Sequence, residues 1–277
     1  MQAVKSYPCF LTPTQLNPDY PLFIFLPGMD GTGQLLRSQT QGLESAFDVR
    51  SLAIPPDNLT DWDELSEIVL TLIRKELEKH PSRPVYLSGE SFGGCLAIKV
   101  ALREPELFER IILSNPATCF KQRPWLQWGS PLFRWLPDHV YQASTLAFLP
   151  FLSALGRTAP HDCRALLKAM QSVPAKTASW RISMLSEFDI DERQLRHLSQ
   201  PFLIIAGAAD QLLPSVMEAQ RLVNYLPNAK MVVLPQSGHA CLLEKDINLF
   251  QIMKDNSFLG ISLLNQEAEP VFTPTPE

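Results

Sequence analysis

No part of the 277-residue sequence joins a basic start to a long apolar run, and its apolar stretches are too short to span a bilayer. A secretory signal and a membrane-spanning helix are therefore not expected. Basic charge is outweighed: 24 Lys and Arg stand against 29 Asp and Glu, a net charge of −5. That balance excludes a nucleic-acid footprint and leaves no polybasic patch for anionic lipid. The five cysteines, Cys9, Cys95, Cys119, Cys163 and Cys241, are odd in number and widely spaced, with no CxxC or Cys/His metal pattern. Reduced thiols, a cytoplasmic location and no metal or cofactor are the expectations.

What is present is enough to fold. The chain is 45% hydrophobic and 19% charged, and its length suits one main domain with an inserted lobe. Short apolar or β-branched runs end in turn residues at Leu22–Leu26, Val49–Ile54, Val85–Ser88, Arg110–Ser114, Phe202–Ala206 and Met231–Leu234. They are continuous rather than alternating, as strands buried on both faces require. Helical patterns fall between them. Trp62, Leu65, Ile68, Val69, Leu72, Ile73 and Leu77 form one stripe, with Asp61 or Thr60 as cap and Pro81 beyond the end. Ser91–Arg103 and Pro214–Tyr225 read as two more helices, and a last one is expected to begin near Ala240.

Alternating strands and helices predict an α/β fold with a mostly parallel sheet covered on both faces. The alternation stops after Thr118. Residues 119–186 are rich in Pro and aromatics and hold no good strand, so they are read as a helical lid inserted into a core of residues 1–118 and 187–264. Residues 265–277 are read as a flexible tail.

The sequence VYLSGESFGG at 85–94 runs a buried strand through Gly89-Glu90-Ser91-Phe92-Gly93 into a helix. This is G-x-S-x-G in the context its sharp turn needs: small residues two positions either side of a serine lifted above the sheet edge. A serine hydroxyl needs a base, and the base needs a carboxylate to fix its tautomer. Both follow in the order serine, acid, histidine. FLIIAGAAD ends in Asp210, and MVVLPQSGH ends in His239, each just beyond a strand. His80, His139, His161 and His197 lack that position and read as surface or structural. Asp189 and Asp191 precede a strand rather than follow one. Ser91, Asp210 and His239 are the catalytic candidates.

An oxyanion hole needs two backbone N–H donors. Phe92 after the nucleophile and Met29 in the loop PGMDGTG are the candidates. Pro27 offers that loop no side-chain bond, so Asp30 and Thr32 are expected to hold it. The loop is neither G-x-G-x-x-G nor a Walker motif, and nucleotide binding is not expected. Glu90 is expected to point away from Ser91 as a structural carboxylate with a hydrogen-bond partner. In the lid, Trp125, Trp128, Phe133, Trp135 and Leu136 either line an acyl channel or pack the lid on the body. The same surface suits a weak peripheral membrane contact.

Together FLPGMDGTG, GESFGGCLA, RIILSNPATCF, AGAADQLLPS and LPQSGHACLLE resemble the hydrolase portion of the esterase/lipase/thioesterase family of α/β-hydrolases that includes phytyl ester synthases and diacylglycerol acyltransferases. The likeness runs from about Leu22 to Glu244. It implies an α/β-hydrolase fold, Ser91 as nucleophile, Asp210 as orienter, His239 as base, and transfer of acyl groups to lipophilic alcohols from acyl lipids or thioesters. The family's His-x4-Asp acyltransferase motif does not occur in the sequence, so hydrolysis is the first expectation and acyl transfer the second. Two other readings remain at this point. One is lyase or carbon–carbon hydrolase chemistry of the menaquinone-synthesis type, for which Arg123 and Arg134 would grip an anion. The other is a non-catalytic binding module on the same scaffold.

Overall fold

The computed structural model describes residues 7–122, 138–154 and 156–260. Seven strands form one sheet in the order β1-β3-β2-β4-β5-β6-β7. They are β1 (Cys9–Leu11), β2 (Leu22–Leu26), β3 (Asp48–Ala53), β4 (Val85–Glu90), β5 (Arg110–Ser114), β6 (Phe202–Gly207) and β7 (Ala229–Leu234). β1 pairs antiparallel with β3, and every other pairing is parallel. This is the α/β-hydrolase fold, and five of the six continuous apolar runs are its inner strands β2 to β6; the sixth, Met231–Leu234, lies in β7 at the sheet edge, where it is half-buried to exposed rather than covered on both faces.

Alternation along each strand divides the core between two faces. Leu22, Ile24 and Leu26 of β2 face one side, with Leu65, Val69 and Ile73 of α2 (Trp62–Leu77) and most of α3 (Phe92–Arg103). Phe23 and Phe25 face the other side, with Leu43 of α1 (Arg37–Glu44) and Leu249 and Met253 of α9 (Leu249–Asp255). Each such fully buried Leu or Phe contributes about 1.5–3 kcal/mol relative to exposure. α2 has the limits its stripe predicts, and the Asp61 side chain accepts from the Glu64 N–H as its cap.

Two further elements differ from expectation. β1 is three half-buried residues, too short to leave a pattern. After His239 the chain makes a 3-10 turn at Cys241–Leu243, and the helix starts only at Leu249, capped by Asn248. Cys241, Leu242 and Leu243 are all buried. An amphipathic surface helix, with one buried stripe, does not bury three residues in a row.

Between β5 and β6 lie α4 (Asp138–Leu152), α5 (Pro160–Gln171), α6 (Ala175–Glu187) and the short α7 (Glu192–Leu195). α8 (Ser215–Tyr225) joins β6 to β7. All five cysteines are free, and Cys95, Cys119 and Cys241 are buried. Among the described residues no helix is long and apolar enough to cross a membrane.

Candidate active site

β4 delivers Ser91 to the C-terminal edge of the sheet at φ 54°. That is the left-handed region, which costs a non-glycine residue about 1–3 kcal/mol and persists only where packing enforces it. The enforcement is visible in the flanking glycines. A Cβ on Gly89 would lie 2.2 Å from the Gly93 oxygen, and one on Gly93 would lie 2.0 Å from the Leu26 oxygen. The helix can therefore start directly against the end of β2 only with glycine at both places.

Three predicted residues converge here from three strand ends. Ser91 Oγ is 2.8 Å from His239 Nε2, and His239 Nδ1 is 2.8 Å from Asp210 Oδ2. Asp210 also accepts from the Leu212 and Leu213 N–H groups at 2.8 and 3.0 Å and from the Ser215 hydroxyl. Burial pushes its carboxyl up, but the His239 charge and these hydrogen bonds outweigh burial and hold it below the usual range. Burial pushes His239 down, but the Asp210 charge and hydrogen bond, with Glu90 beyond, raise it above its ordinary value. An ionised Asp210 accepts from Nδ1–H, which leaves Nε2 as the acceptor for the Ser91 hydroxyl. The arrangement is chemically able to draw a proton from Ser91.

Met29 lies on the wall of the cavity over Ser91. Phe92 opens α3, where a helix's first N–H groups have no internal acceptor. Its ring is buried and stacks on Trp62 at 4.5 Å between centroids. Thr32 donates from both its N–H and its hydroxyl to Asp30, as the loop's lack of side-chain anchors at Pro27 requires. The cavity, about 200 Å³, is walled by Phe148 and Leu152 of α4, Leu166 and Met170 of α5, and Ile182 and Leu185 of α6. Trp125, Trp128, Phe133, Trp135 and Leu136 lie outside the described residues, as do Arg123 and Arg134.

Glu90 departs from expectation. It lines the same cavity as Ser91, and its Oε1 has no hydrogen-bond partner among the described residues. Burial, opposed by His239 and reinforced by Asp30, raises it to about 7. The elbow turns so sharply that neighbouring side chains both reach the cavity.

The other rivals are accounted for elsewhere. Asp191 caps α7 through the Arg193 N–H, Asp189 faces Lys121 at 3.6 Å, His197 Nδ1 meets the Arg193 carbonyl, and His161 is exposed beside Asp162.

Three supporting residues were not singled out from sequence. Asn115, at φ 43°, accepts from the Gly207 N–H at 2.8 Å and donates to the Gly238 and His239 carbonyls at 3.0 and 2.6 Å. Glu244 accepts from the Gly238 N–H at 2.8 Å and from Arg157 at 2.7 Å. Arg181 donates to the Met29 and Pro55 carbonyls at 2.7 and 3.1 Å. Asn115 sits in the NPAT segment and Glu244 closes LPQSGHACLLE, so motif position was the available signal; Arg181 had none.

Residues 58–246 match the model of a hydrolase family described as serine aminopeptidase, S33. Phytyl ester synthase 1 of Arabidopsis thaliana, a chloroplastic protein, is 32% identical over 85% of this chain, which spans 37% of that relative's length. Among solved structures, a hydrolase from Pseudomonas aeruginosa PA01 superposes with a TM-score of 0.70 at 20% identity, covering 91% of this chain and 98% of that one. MenH from S. aureus superposes with a TM-score of 0.71 at 16% identity, covering 96% and 100%. The family match spans well over half of the chain, and the fold agrees with it: the chain belongs to the serine aminopeptidase (S33) family of α/β-hydrolases.

Proposed function

We propose that the chain is a serine esterase or thioesterase acting on neutral, lipophilic acyl substrates, with Ser91, His239 and Asp210 as its triad. The observation that carries this reading is the relay of two 2.8 Å contacts, Asp210 to His239 to Ser91, opening into an apolar cavity. Ser91 Oγ attacks the acyl carbonyl carbon while His239 Nε2 takes its proton. The Met29 and Phe92 N–H groups hold the oxyanion. Collapse breaks the carbonyl–oxygen or carbonyl–sulfur bond, and His239 gives its proton to the departing alcohol or thiol. Water then attacks the acyl-Ser91 carbonyl, His239 takes a water proton, and Ser91 is regenerated with the free acid.

The helices between β5 and β6 act as a lid, since their side chains form much of the cavity wall. Among the described residues no Lys or Arg lines it, which favours a neutral ester over the anionic substrate of a lyase. An alcohol in place of water would take the acyl group and form a new ester, and ester synthesis is what the name of phytyl ester synthase 1 states. The test is hydrolysis of p-nitrophenyl esters of graded chain length, wild type beside Ser91→Ala. Activity that rises with chain length and is lost in the variant supports the reading. A folded Ser91→Ala that keeps wild-type activity overturns it.

A further inference from the structure

The cavity over Ser91 has mostly hydrocarbon walls, and one side chain in it holds a buried polar atom without a partner among the described residues. Glu90 is 8% exposed, lines the cavity, and has a buried, unbonded Oε1. Ser88, Arg110, Ser114 and Gln200 also carry buried unbonded atoms among the described residues, but none of them lines the cavity. A buried polar atom without a partner is costly, and a carboxyl that lines a cavity can turn such an oxygen toward a partner that a ligand supplies.

The chemistry of that partner is narrow. Among the described residues, His239, Asp30 and Cys241 are titratable groups close enough to exchange charge effects with Glu90. Held near 7 by burial, with His239 opposing and Asp30 adding, the carboxyl exists both with and without its proton around neutral pH. A hydroxyl suits both forms, because it donates to a carboxylate and both donates to and accepts from an acid. An anion would meet the ionised carboxyl and Asp30. A cation would have to leave water for a cavity whose walls are mostly hydrocarbon, with Asp30 and Glu90 both raised toward the neutral form by burial. Position narrows it further. Glu90, Ser91 and His239 line one cavity, and His239 stands beside the departing alcohol when it gives up its proton.

We propose that Glu90 is a specificity contact for a neutral hydroxyl on the alcohol portion of the substrate, close to the ester being cleaved. This rests on the esterase reading above. The substrate class it selects is an ester of a diol or polyol with one hydroxyl left free, rather than an ester of a plain alcohol.

The test compares kcat/KM for the 2-hydroxyethyl and ethyl esters of one acyl chain, by pH-stat, in wild type, Glu90→Gln and Glu90→Leu. The ratio cancels whatever a variant does to Ser91 and His239, which serve both esters alike. Wild type should favour the hydroxyl ester by about tenfold, the worth of one net hydrogen bond. Glu90→Gln, which still donates and accepts, should keep most of that preference, and Glu90→Leu should bring the ratio to about one. A wild-type ratio near one, or a preference that survives in Glu90→Leu, overturns the proposal. So does a stronger preference for the 2-(trimethylammonio)ethyl ester, which would make the site one for a cation. Failure of the esterase reading looks different: wild type then cleaves neither ester, and both inferences fall together.

Discussion

Arg181 Nη1 donates to the Met29 carbonyl at 2.7 Å, and the same guanidinium reaches the Pro55 carbonyl at 3.1 Å. Arg181 belongs to α6, and Met29 to the loop after β2. A Cβ on Gly31, at φ 68°, would fall 2.8 Å from Nη1, so glycine leaves the space the guanidinium fills. A helix of the cavity wall is thereby tied to the backbone that carries the proposed oxyanion donor.

Replacing Arg181 with Met should therefore lower kcat more than it raises KM. Loss of one oxyanion donor costs about 100- to 1000-fold. A donor that is present but loosened should cost less, about 10- to 100-fold. Arg181→Lys should recover only part, because an ammonium cannot bridge two carbonyls as a planar fork does. Steady-state kinetics on a short p-nitrophenyl ester measure this. A fall in thermal stability with unchanged kcat would mean that Arg181 only holds the fold together.

The central fold was legible because strands buried on both faces write themselves as continuous apolar runs, and α2 wrote its stripe to the residue. Ser91, Asp210 and His239 were legible because each follows the C-terminal end of a strand, and their convergence follows from the parallel order of β4, β6 and β7. Arg181 was not, since a guanidinium on a helix reads as a solvated charge until its partners, carbonyls 152 and 126 residues away, are known. Glu90 was misread for a related reason. Sequence shows that it adjoins Ser91 but not how far the elbow turns its side chain. β1 failed through shortness, and α9 through a buried 3-10 turn that carries helical composition.

The acid limb of the kcat/KM profile should lie above pH 6.5. His239 must be neutral to accept the Ser91 proton, and the Asp210 charge and hydrogen bond, with Glu90, overcome burial to raise it above the ordinary imidazole value of 6.5. Activity then grows as pH passes the raised value. Asp210→Asn removes the charge, so the limb should move down while kcat falls by about 10,000-fold through the wrong tautomer. Glu90 titrates in the same window, so the profile is repeated in Glu90→Gln, where the limb should shift down modestly. A limb unmoved in Asp210→Asn would show that another group sets it.

Glu90 should also leave a mark on stability. Burial lifts its carboxyl to about 7 in the folded chain, against an ordinary value of 4.5. Between those values the folded state binds more protons than the unfolded, so stability declines as pH rises from 4.5 to 7. Above 7 the full cost is present, roughly 3 kcal/mol from the size of the shift. Glu90→Gln carries no ionisation, so it should match wild type near pH 4.5 and exceed it by up to roughly 3 kcal/mol at pH 8. Urea unfolding at both pH values measures the difference. A gap of equal size at both would assign the effect to packing rather than charge.

Asn115 joins the ends of β5 and β6 to the His239 loop, and its side chain and its backbone can be tested apart. The side chain accepts from Gly207 N–H and donates to the Gly238 and His239 carbonyls. The backbone stands at φ 43°, where glycine is at ease and alanine is strained. Asn115→Ala loses both features and should destabilise by about 3–5 kcal/mol. Asn115→Gly should recover the strain but not the bonds, and so leave kcat down by about 10- to 100-fold as the His239 loop drifts from its 2.8 Å contact with Ser91. Asn115→Asp keeps the acceptor for Gly207 but turns lone pairs toward two carbonyl oxygens, so it should be worse than Asn115→Gly in kcat despite its closer shape. If Asn115→Gly instead matched wild type in kcat, the residue would serve backbone conformation alone, and the position of His239 would rest on Glu244 and its bond to the Gly238 N–H.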